Sequence, residues 1–541
     1  MVRYLMHWIE KIISDLEKRG DERLVLSTGK TPSGYIHIGI GRELIYCSAF
    51  ERLLRALDRK TGFVLFIDSM DPIKRFPSYI PSDFTKYVGM PMFMIPCPEG
   101  CCESYALHFG SLFIKNLGPF GLKPKIVWTH ELYQTGKMQD LVRKALRNIV
   151  IIRQILIDIV GSTLSPDQLE QYRERVKVQI PCQVICGGCG KMTRVTSFDL
   201  DEDTVSYSCH SCGEEGKVPI SEGRAKLTWR VDWPAKWALF RVSCEPAGKD
   251  HCVRGGAYDT GVEICRRVFG WKGPYRVPFE WFLLGKRAMK THRGISFTWD
   301  EWLSVAPPEI LRFLVLRQSP RKHISFQPER LPQLIDEFEI FEAVYYGGEG
   351  ATEAELKRAQ LLYPLCMPDG ASKDPPIRLP YRFATILSQI TPLLGERAVF
   401  EKAVASVSKT YGLERLSRSA RDEIRRSIER AKYWVTHYAP ISMRIEIPER
   451  VTEEIKSELS DEKKEGLRVI LAELQEREEW EEQELQNLIF EVANGIGLEP
   501  AALFEALYLV LLGRTSGPRL APFLLSLRRE FVLRRLKEAL T

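Results

Sequence analysis

The stretch KTPSGYIHIGIGRE, Lys30 to Glu43, places a histidine two residues ahead of a glycine, where a short apolar run, RLVLS at Arg23 to Ser27, gives way to helical spacing. A glycine-bearing turn between a strand and a helix leaves backbone N–H groups unpaired at the helix start. Those amides and the helix dipole favour phosphate. Ser33 and Gly34 fall in that turn, and His37 at its end can donate a hydrogen bond to phosphate charge developing in nucleotidyl transfer. The competing reading is a surface or capping histidine. Neither GxxxxGK[ST] nor GxGxxG is present, so the turn is neither a P-loop nor a dinucleotide fingerprint.

Two further segments carry chemistry. In EPAGKDH, Glu245 to His251, a glycine near an aspartate at a strand end allows close backbone approach to a ribose, whose hydroxyls the carboxylate accepts. In WRVDWPAKW, Asp232 sits among Trp229, Trp233 and Trp237, spaced four apart. Aromatics at that spacing are more often core than ligand contacts. Asp232 is nevertheless a candidate partner for an amine, because a buried ammonium needs a carboxylate or an equivalent acceptor.

The cysteines give the sharpest local signal. Cys186-x-x-Cys189 and Cys209-x-x-Cys212, with nineteen residues between the pairs, match a four-thiolate zinc ribbon, with Cys182 and His210 as alternative ligands. A redox dithiol needs only one pair. So small a segment buries too little apolar area to fold alone, which makes a structural zinc the natural brace.

From Arg23 to about Arg175, the strand-like runs RLVLS, GFVLFIDS and KPKIVWTHEL alternate with helical runs such as GRELIYCSAFERLLRAL and QDLVRKALRNIVIIRQILIDIV, the pattern of a parallel α/β sheet. The cysteine module interrupts that rhythm, which resumes through KLTWRVDWPAKWALF and VPFEWFLLGK, so the insert divides one sheet domain into halves that share a site. Beyond TWDEWLSVAPPEILRFLVLR the chain reads as helical, broken by Pro-rich stretches at Met367 to Arg382 and Tyr438 to Arg450. The expected boundaries are 1–180 and 221–300 for the two halves, 181–220 for the insert, 301–366 for a helical connection and 367–541 for a helical domain.

At 541 residues, 44% hydrophobic and 27% charged, the chain holds several globular domains. With a net charge of +6, attraction to a polyanion must come from local patches, such as Arg425, Arg426 and Arg430 or Arg528, Arg529, Arg534, Arg535 and Lys537. Such faces are as readily plain solvated helix surfaces. The run ALYLVLLG is far short of the roughly 20 residues that span a bilayer. The N-terminus reads as an amphipathic helix rather than a targeting signal, and thirteen cysteines suit a reducing, cytoplasmic setting.

TPSGYIHIG resembles the HIGH-type signature of class I aminoacyl-tRNA synthetases, and most closely the PSG-x-x-H-x-G form of the archaeal-type class I lysyl-tRNA synthetases. GMPMFMIPCPEGCCESYALHF, KLTWRVDWPAKW, EPAGKDHCVRGGAYDTG, APPEILRFLVLR, AKYWVTHYAP, NLIFEVA and GPRLAPFLLSL resemble the same family in the same order, from Gly89 to Leu527. The resemblance implies a Rossmann-type class I catalytic domain of α/β fold with the inserted zinc ribbon, followed by an all-α C-terminal anticodon-binding domain. It implies ATP, with Mg2+, and L-lysine as substrates, tRNA(Lys) as partner, and a structural Zn2+; a monomer is expected.

By the same resemblance, Thr31, Pro32, Ser33, Gly34, His37, Gly39, Gly248, Asp250 and His251 belong to the ATP site. Gly29, Thr31, Asp232, Trp233, His251 and Phe279 belong to the lysine site. The mobile KMSKS loop of the family matches AMKTHRG, Ala288 to Gly294, where Ala288 replaces the first lysine, Arg293 the second, and Lys290 remains a cation; Lys290 and Arg293 join His37 as catalytic candidates. Ile40 stands where the family has asparagine and Phe279 where it has tyrosine. These departures keep two alternatives open: a synthetase-derived tRNA-binding paralogue with weakened activation, and a class I synthetase for another amino acid.

Overall fold

RLVLS and its successors form a five-stranded parallel sheet of β1 (Leu24–Lys30), β2 (Thr61–Ile67), β3 (Lys125–Trp128), β4 (Val242–Gly248) and β5 (Tyr275–Phe279), ordered β5-β4-β1-β2-β3. Every neighbouring pair is parallel. The three inner strands β4, β1 and β2 are buried along most of their length instead of alternating, while the edge strands β3 and β5 are partly exposed. The chain builds outward from β1 to β3 and then returns to the other side of β1 with β4. The crevice at the C-terminal ends of β1 and β4 is therefore the switch point where such sheets bind ligands.

A computed structural model describes residues 7–289 and 296–541, which fall into two units. The first spans residues 1–302, 307–327 and 347–371, and the second spans 303–306, 328–346 and 372–541. The 301–366 region expected as one connection is thus divided between them. Within the first unit, β1 runs through the turn to helix α1 (Gly41–Ala56), whose Arg42 is fully buried and donates to the Lys322 carbonyl at 3.0 Å and the Tyr46 hydroxyl at 3.1 Å. Helix α2 (Trp229–Phe240) precedes β4 and packs on α3 (Ala257–Arg267).

The insert is an open antiparallel five-stranded sheet whose last strand returns to pair beside its first, Cys182 opposite Leu227. It therefore ends at Leu227, not at 220. Its last strand, Ala225–Leu227, has three residues, too few for alternation to reveal it. The second unit is helical from Leu331–Tyr345 to Arg529–Leu540. ALYLVLLG lies in the core helix Pro500–Leu512, and among the described residues no single helix is long and apolar enough to cross a membrane.

Candidate active site

At the switch point lies a cavity of about 520 Å³. Gly29, Lys30, Thr31, Ser33, His37, Gly39, Ile40 and Glu43 reach it from β1, the turn and α1, while Asp68 reaches it from the end of β2. Trp229, Trp233 and Lys236 come from α2, and Glu245, Asp250 and His251 from β4 and the turn after it. Pro32, Gly34 and Gly248 sit beside these residues in the chain without lining the cavity.

His37 ends the turn as the cap of a short helical turn, Ile38–Ile40, its Nδ1 accepting the Gly39 N–H at 3.1 Å. The capping reading is thus realised, and it fixes the tautomer: with Nδ1 an acceptor, the proton resides on Nε2. Burial, aided by the Lys30 ammonium, pushes the imidazole down to about 3, so it is a neutral donor at pH 7. A Cβ on residue 39 would stand 2.7 Å from that ring, which is why a glycine follows.

The carboxylate of Glu43, in the first turn of α1, belongs to no motif that marks it in the sequence. Thr28 Oγ1 donates to its Oε2, and burial lifts it to about 7, against the opposing pull of Thr28 and Lys30. Its one signal is its place, six residues after His37 and beside the apolar Leu44 and Ile45, which turns it toward the core side of α1.

Glu245 is held by the indole N–H groups of Trp233 at 2.6 Å and Trp237 at 2.9 Å and by the Ser27 hydroxyl. Trp229 stacks on Trp233 with centroids 5.5 Å apart and lies 5.3 Å from His251. The tryptophans are therefore both core and cavity wall, and such a wall attracts cations.

Two residues expected at the lysine site do not line the cavity. Asp232 is 1% exposed and does not reach the cavity: it accepts from the Tyr133 hydroxyl and pairs with Lys236 at 3.1 Å and Lys226 at 3.7 Å. Lys236 also binds Asp68 at 2.6 Å, and Lys226 binds Asp71 at 3.0 Å. Asp232 thus has its cations already, one of them from a helix position i+4 that the tryptophan spacing overshadows. Phe279 is buried without lining the cavity, its ring under the Arg42 guanidinium at 5.6 Å. Lys290 and Arg293 lie outside the described residues; Ala288 and Met289 just before them line the cavity.

Cys186, Cys189, Cys209 and Cys212 bring their sulfurs within 4.8 Å of one another, Cys186 to Cys212 at 3.5 Å and Cys189 to Cys209 at 3.6 Å. Thiolates around zinc at about 2.3 Å stand about 3.8 Å apart, so the set fits. Each pair closes a turn through Gly190 (φ +69°) or Gly213 (φ +78°), a backbone conformation that favours glycine. Cys182 and His210 are not in the group; His210 faces the Thr193 hydroxyl at 3.3 Å. A second group, Cys97, Cys101, Cys102 and His108, is not legible in the sequence because C-x3-C-C-x5-H lacks the paired spacing. His108 Nδ1 lies 3.2 Å from Cys101 and 3.5 Å from Cys97, while its buried Nε2 makes no hydrogen bond, the Glu99 carboxylate lying 3.6 Å away.

In the helical unit the basic faces are only partly open. Arg535 is fully buried on the Val510 carbonyl at 2.7 Å, and Arg430 is paired with Glu423 at 2.8 Å.

The family model described as tRNA synthetases class I (K) matches residues 6–366, and that of an anticodon binding domain matches residues 424–540. The chain is 34% identical to a lysine–tRNA ligase of Methanocaldococcus jannaschii over 98% of this chain and 99% of that one. It is 35% identical to that of Archaeoglobus fulgidus over 99% and 100% of the two chains. Against that of Thermococcus kodakarensis the identity is 36%, over 99% of each. A sheet of this order with its site at the β1–β4 switch point, carried by a chain matched along nearly its whole length, belongs to the class I (K) family of tRNA synthetases.

Proposed function

We propose that the chain is a lysine–tRNA ligase that joins L-lysine to ATP as lysyl-adenylate, releasing pyrophosphate, and passes the lysyl group to a hydroxyl of the terminal adenosine of tRNA(Lys), the 2′ in a class I enzyme. The observation that carries this reading is Glu43, a half-buried carboxylate facing an aromatic-walled cavity beside the His37 turn. A carboxylate there is the counter-charge a lysine ammonium needs on leaving water.

Thr31, Ser33 and the turn amides receive the phosphates, the His37 Nε2–H donates to charge developing at the α-phosphate, and Asp250 accepts from the ribose. Gly29 bounds the amino-acid end, where a Cβ would stand 3.5 Å from Asp68. Lys290 and Arg293 supply further cationic stabilisation. Magnesium, when bound with ATP, offsets phosphate charge. All thirteen cysteines are unpaired, in keeping with a reducing cytoplasm.

A second reading, a tRNA-binding paralogue with weakened activation, is favoured by Ala288, which lines the cavity where the family has a lysine. Pyrophosphate exchange with each amino acid, with and without total tRNA, separates the readings. The expected result is exchange dependent on lysine. Exchange with another amino acid, or tRNA binding with no exchange, overturns the proposal.

Gly39→Ala is expected to displace the His37 ring and lower kcat for adenylate formation by tenfold to about 100-fold, as misplacement by roughly 1 Å does. Single-turnover kinetics with unchanged ATP affinity would show it. Both cysteine groups are expected to hold zinc, so the purified chain should carry one equivalent for each of the two groups. Cys209→Ser should remove only the first equivalent and Cys101→Ser only the second, as read by elemental analysis; an unchanged content in either variant would exclude that group.

A further inference from the structure

The long crossover from β2 to β3, residues 68–124, has a small core of its own, in which Ile73, Phe84, Met92, Ile95 and Phe109 are buried with Tyr105. None of these side chains lines the catalytic cavity, yet two tyrosines beside that core grip the turn that does. The Tyr105 hydroxyl donates to the Ser33 carbonyl at 3.0 Å, and the Tyr79 hydroxyl accepts the Tyr35 N–H at 2.9 Å. The Tyr35 ring meets Phe109 edge-on, with centroids 5.2 Å apart. The two hydrogen bonds flank Gly34, whose φ of +153° is one that glycine adopts freely and other residues rarely do. A turn hinged on such a glycine does not fix its own shape, so its geometry depends on what holds it from outside. Across a trans peptide the C=O and N–H point in opposite directions. Holding the Ser33 carbonyl on Tyr105 therefore turns the Gly34 N–H away from the small core, and that N–H is one of the turn amides open to phosphate.

Tyr105 is placed in its turn by the second cysteine group. It opens the helix Tyr105–Lys115, which Ser104 caps by accepting the Leu107 N–H at 3.2 Å. The Tyr105 N–H donates to the Ile95 carbonyl at 2.8 Å and so closes the loop that carries Cys97, Cys101 and Cys102. His108, the fourth member, lies on the helix one turn beyond Tyr105. Side chains that share a metal there tie the loop to the helix start within a turn of the hydroxyl that holds Ser33.

We infer that Tyr105 is a positioning residue of the adenylate site, and that the group at Cys97, Cys101, Cys102 and His108 acts through its hydroxyl to set the orientation of the phosphate-binding turn. Tyr105→Phe keeps the buried ring and deletes only the hydroxyl. In the full chain the kcat of lysine-dependent pyrophosphate exchange should fall by tenfold to about 100-fold, as misplacement by roughly 1 Å does, with the KM for lysine and the zinc content unchanged. Tyr79→Phe, at an exposed position on the other flank of Gly34, should act in the same direction. Tyr87→Phe, beside the same core, should change none of these quantities. Cys101→Ser should lower kcat through the same hydroxyl, so combining it with Tyr105→Phe should cost no more than the larger single effect. Losses that multiply would separate the cysteine group from the turn. An unchanged kcat in Tyr105→Phe, whatever its unfolding midpoint, would leave the tyrosine a purely structural part; either result overturns the inference. The inference rests on the adenylate-forming reading: no exchange by the unaltered chain with any amino acid fells both, whereas exchange that Tyr105→Phe leaves intact fells this one alone.

Discussion

Glu43→Gln is expected to lower kcat/KM for lysine by about 100-fold to 1,000-fold while leaving the KM for ATP nearly unchanged. Removing one partner of a buried ion pair costs about 3–5 kcal/mol, because the other charge stays uncompensated. Each 1.4 kcal/mol or so is tenfold. The introduced amide keeps the size of the side chain and the hydrogen bond from Thr28, so the loss isolates the charge. The pH profile gives an independent check with a definite sign. The free carboxyl titrates at about 7, raised mainly by burial, and only its ionised form attracts the lysine ammonium. Below that pH lysine must displace a proton, so kcat/KM for lysine should fall as pH drops below about 7, whereas kcat, which reports the bound state, stays flatter. The glutamine variant should lose that acidic limb. A limb that persists in it, or a loss that appears equally in the KM for ATP, would assign the ammonium to another residue.

Why Glu43 had to be seen in three dimensions, and His37 did not, is a matter of what each signal contains. The turn around His37 is a local device: strand end, glycine and helix start are consecutive, and the residues that line the cavity there are the residues of the motif. The parallel sheet and the paired cysteines were legible for the same reason, since alternation and fixed spacing are short-range patterns. The fate of Asp232 was not. Its partners are Lys226, Lys236 and Tyr133, and Tyr133 is 99 residues away, brought in by the long crossover between β3 and β4. A carboxylate flanked by tryptophans reads the same whether it meets a substrate amine or two lysines of its own chain. Phe279 likewise faces Arg42 across the sheet, a contact fixed by the pairing of β5 with β4 and not by its own neighbours. The group at Cys97 to His108 escaped because its ligands join a loop to a helix, so neither period applies.

Asp232→Asn decides between those two meanings, and its expected effect is on folding. Lys226 and Lys236 are 2% and 3% exposed, and loss of the carboxylate between them leaves two buried ammonium groups with only Asp68 and Asp71. A destabilisation of about 3–5 kcal/mol is expected, read as a lower midpoint in denaturant. Burial alone would lift the Asp232 carboxyl, but Lys226 and Lys236 outweigh it and hold it below its ordinary 3.8. A depressed carboxylate contributes stability that is full above the unfolded value and is lost as pH falls through the folded one. The deficit of the variant should accordingly be complete at pH 7 and shrink only below about 3.8. Lys226→Met combined with Asp232→Asn should recover part of the loss, because the pair is coupled and removing both charges leaves less unbalanced charge than removing one. If Asp232 instead received the substrate amine, Asp232→Asn would raise the KM for lysine with the midpoint unmoved. The network has a functional consequence even so: Lys236 fixes Asp68 at the cavity wall, so the folding defect should bring a loosened lysine site with it, seen as a raised KM that Lys226→Met partly restores along with stability.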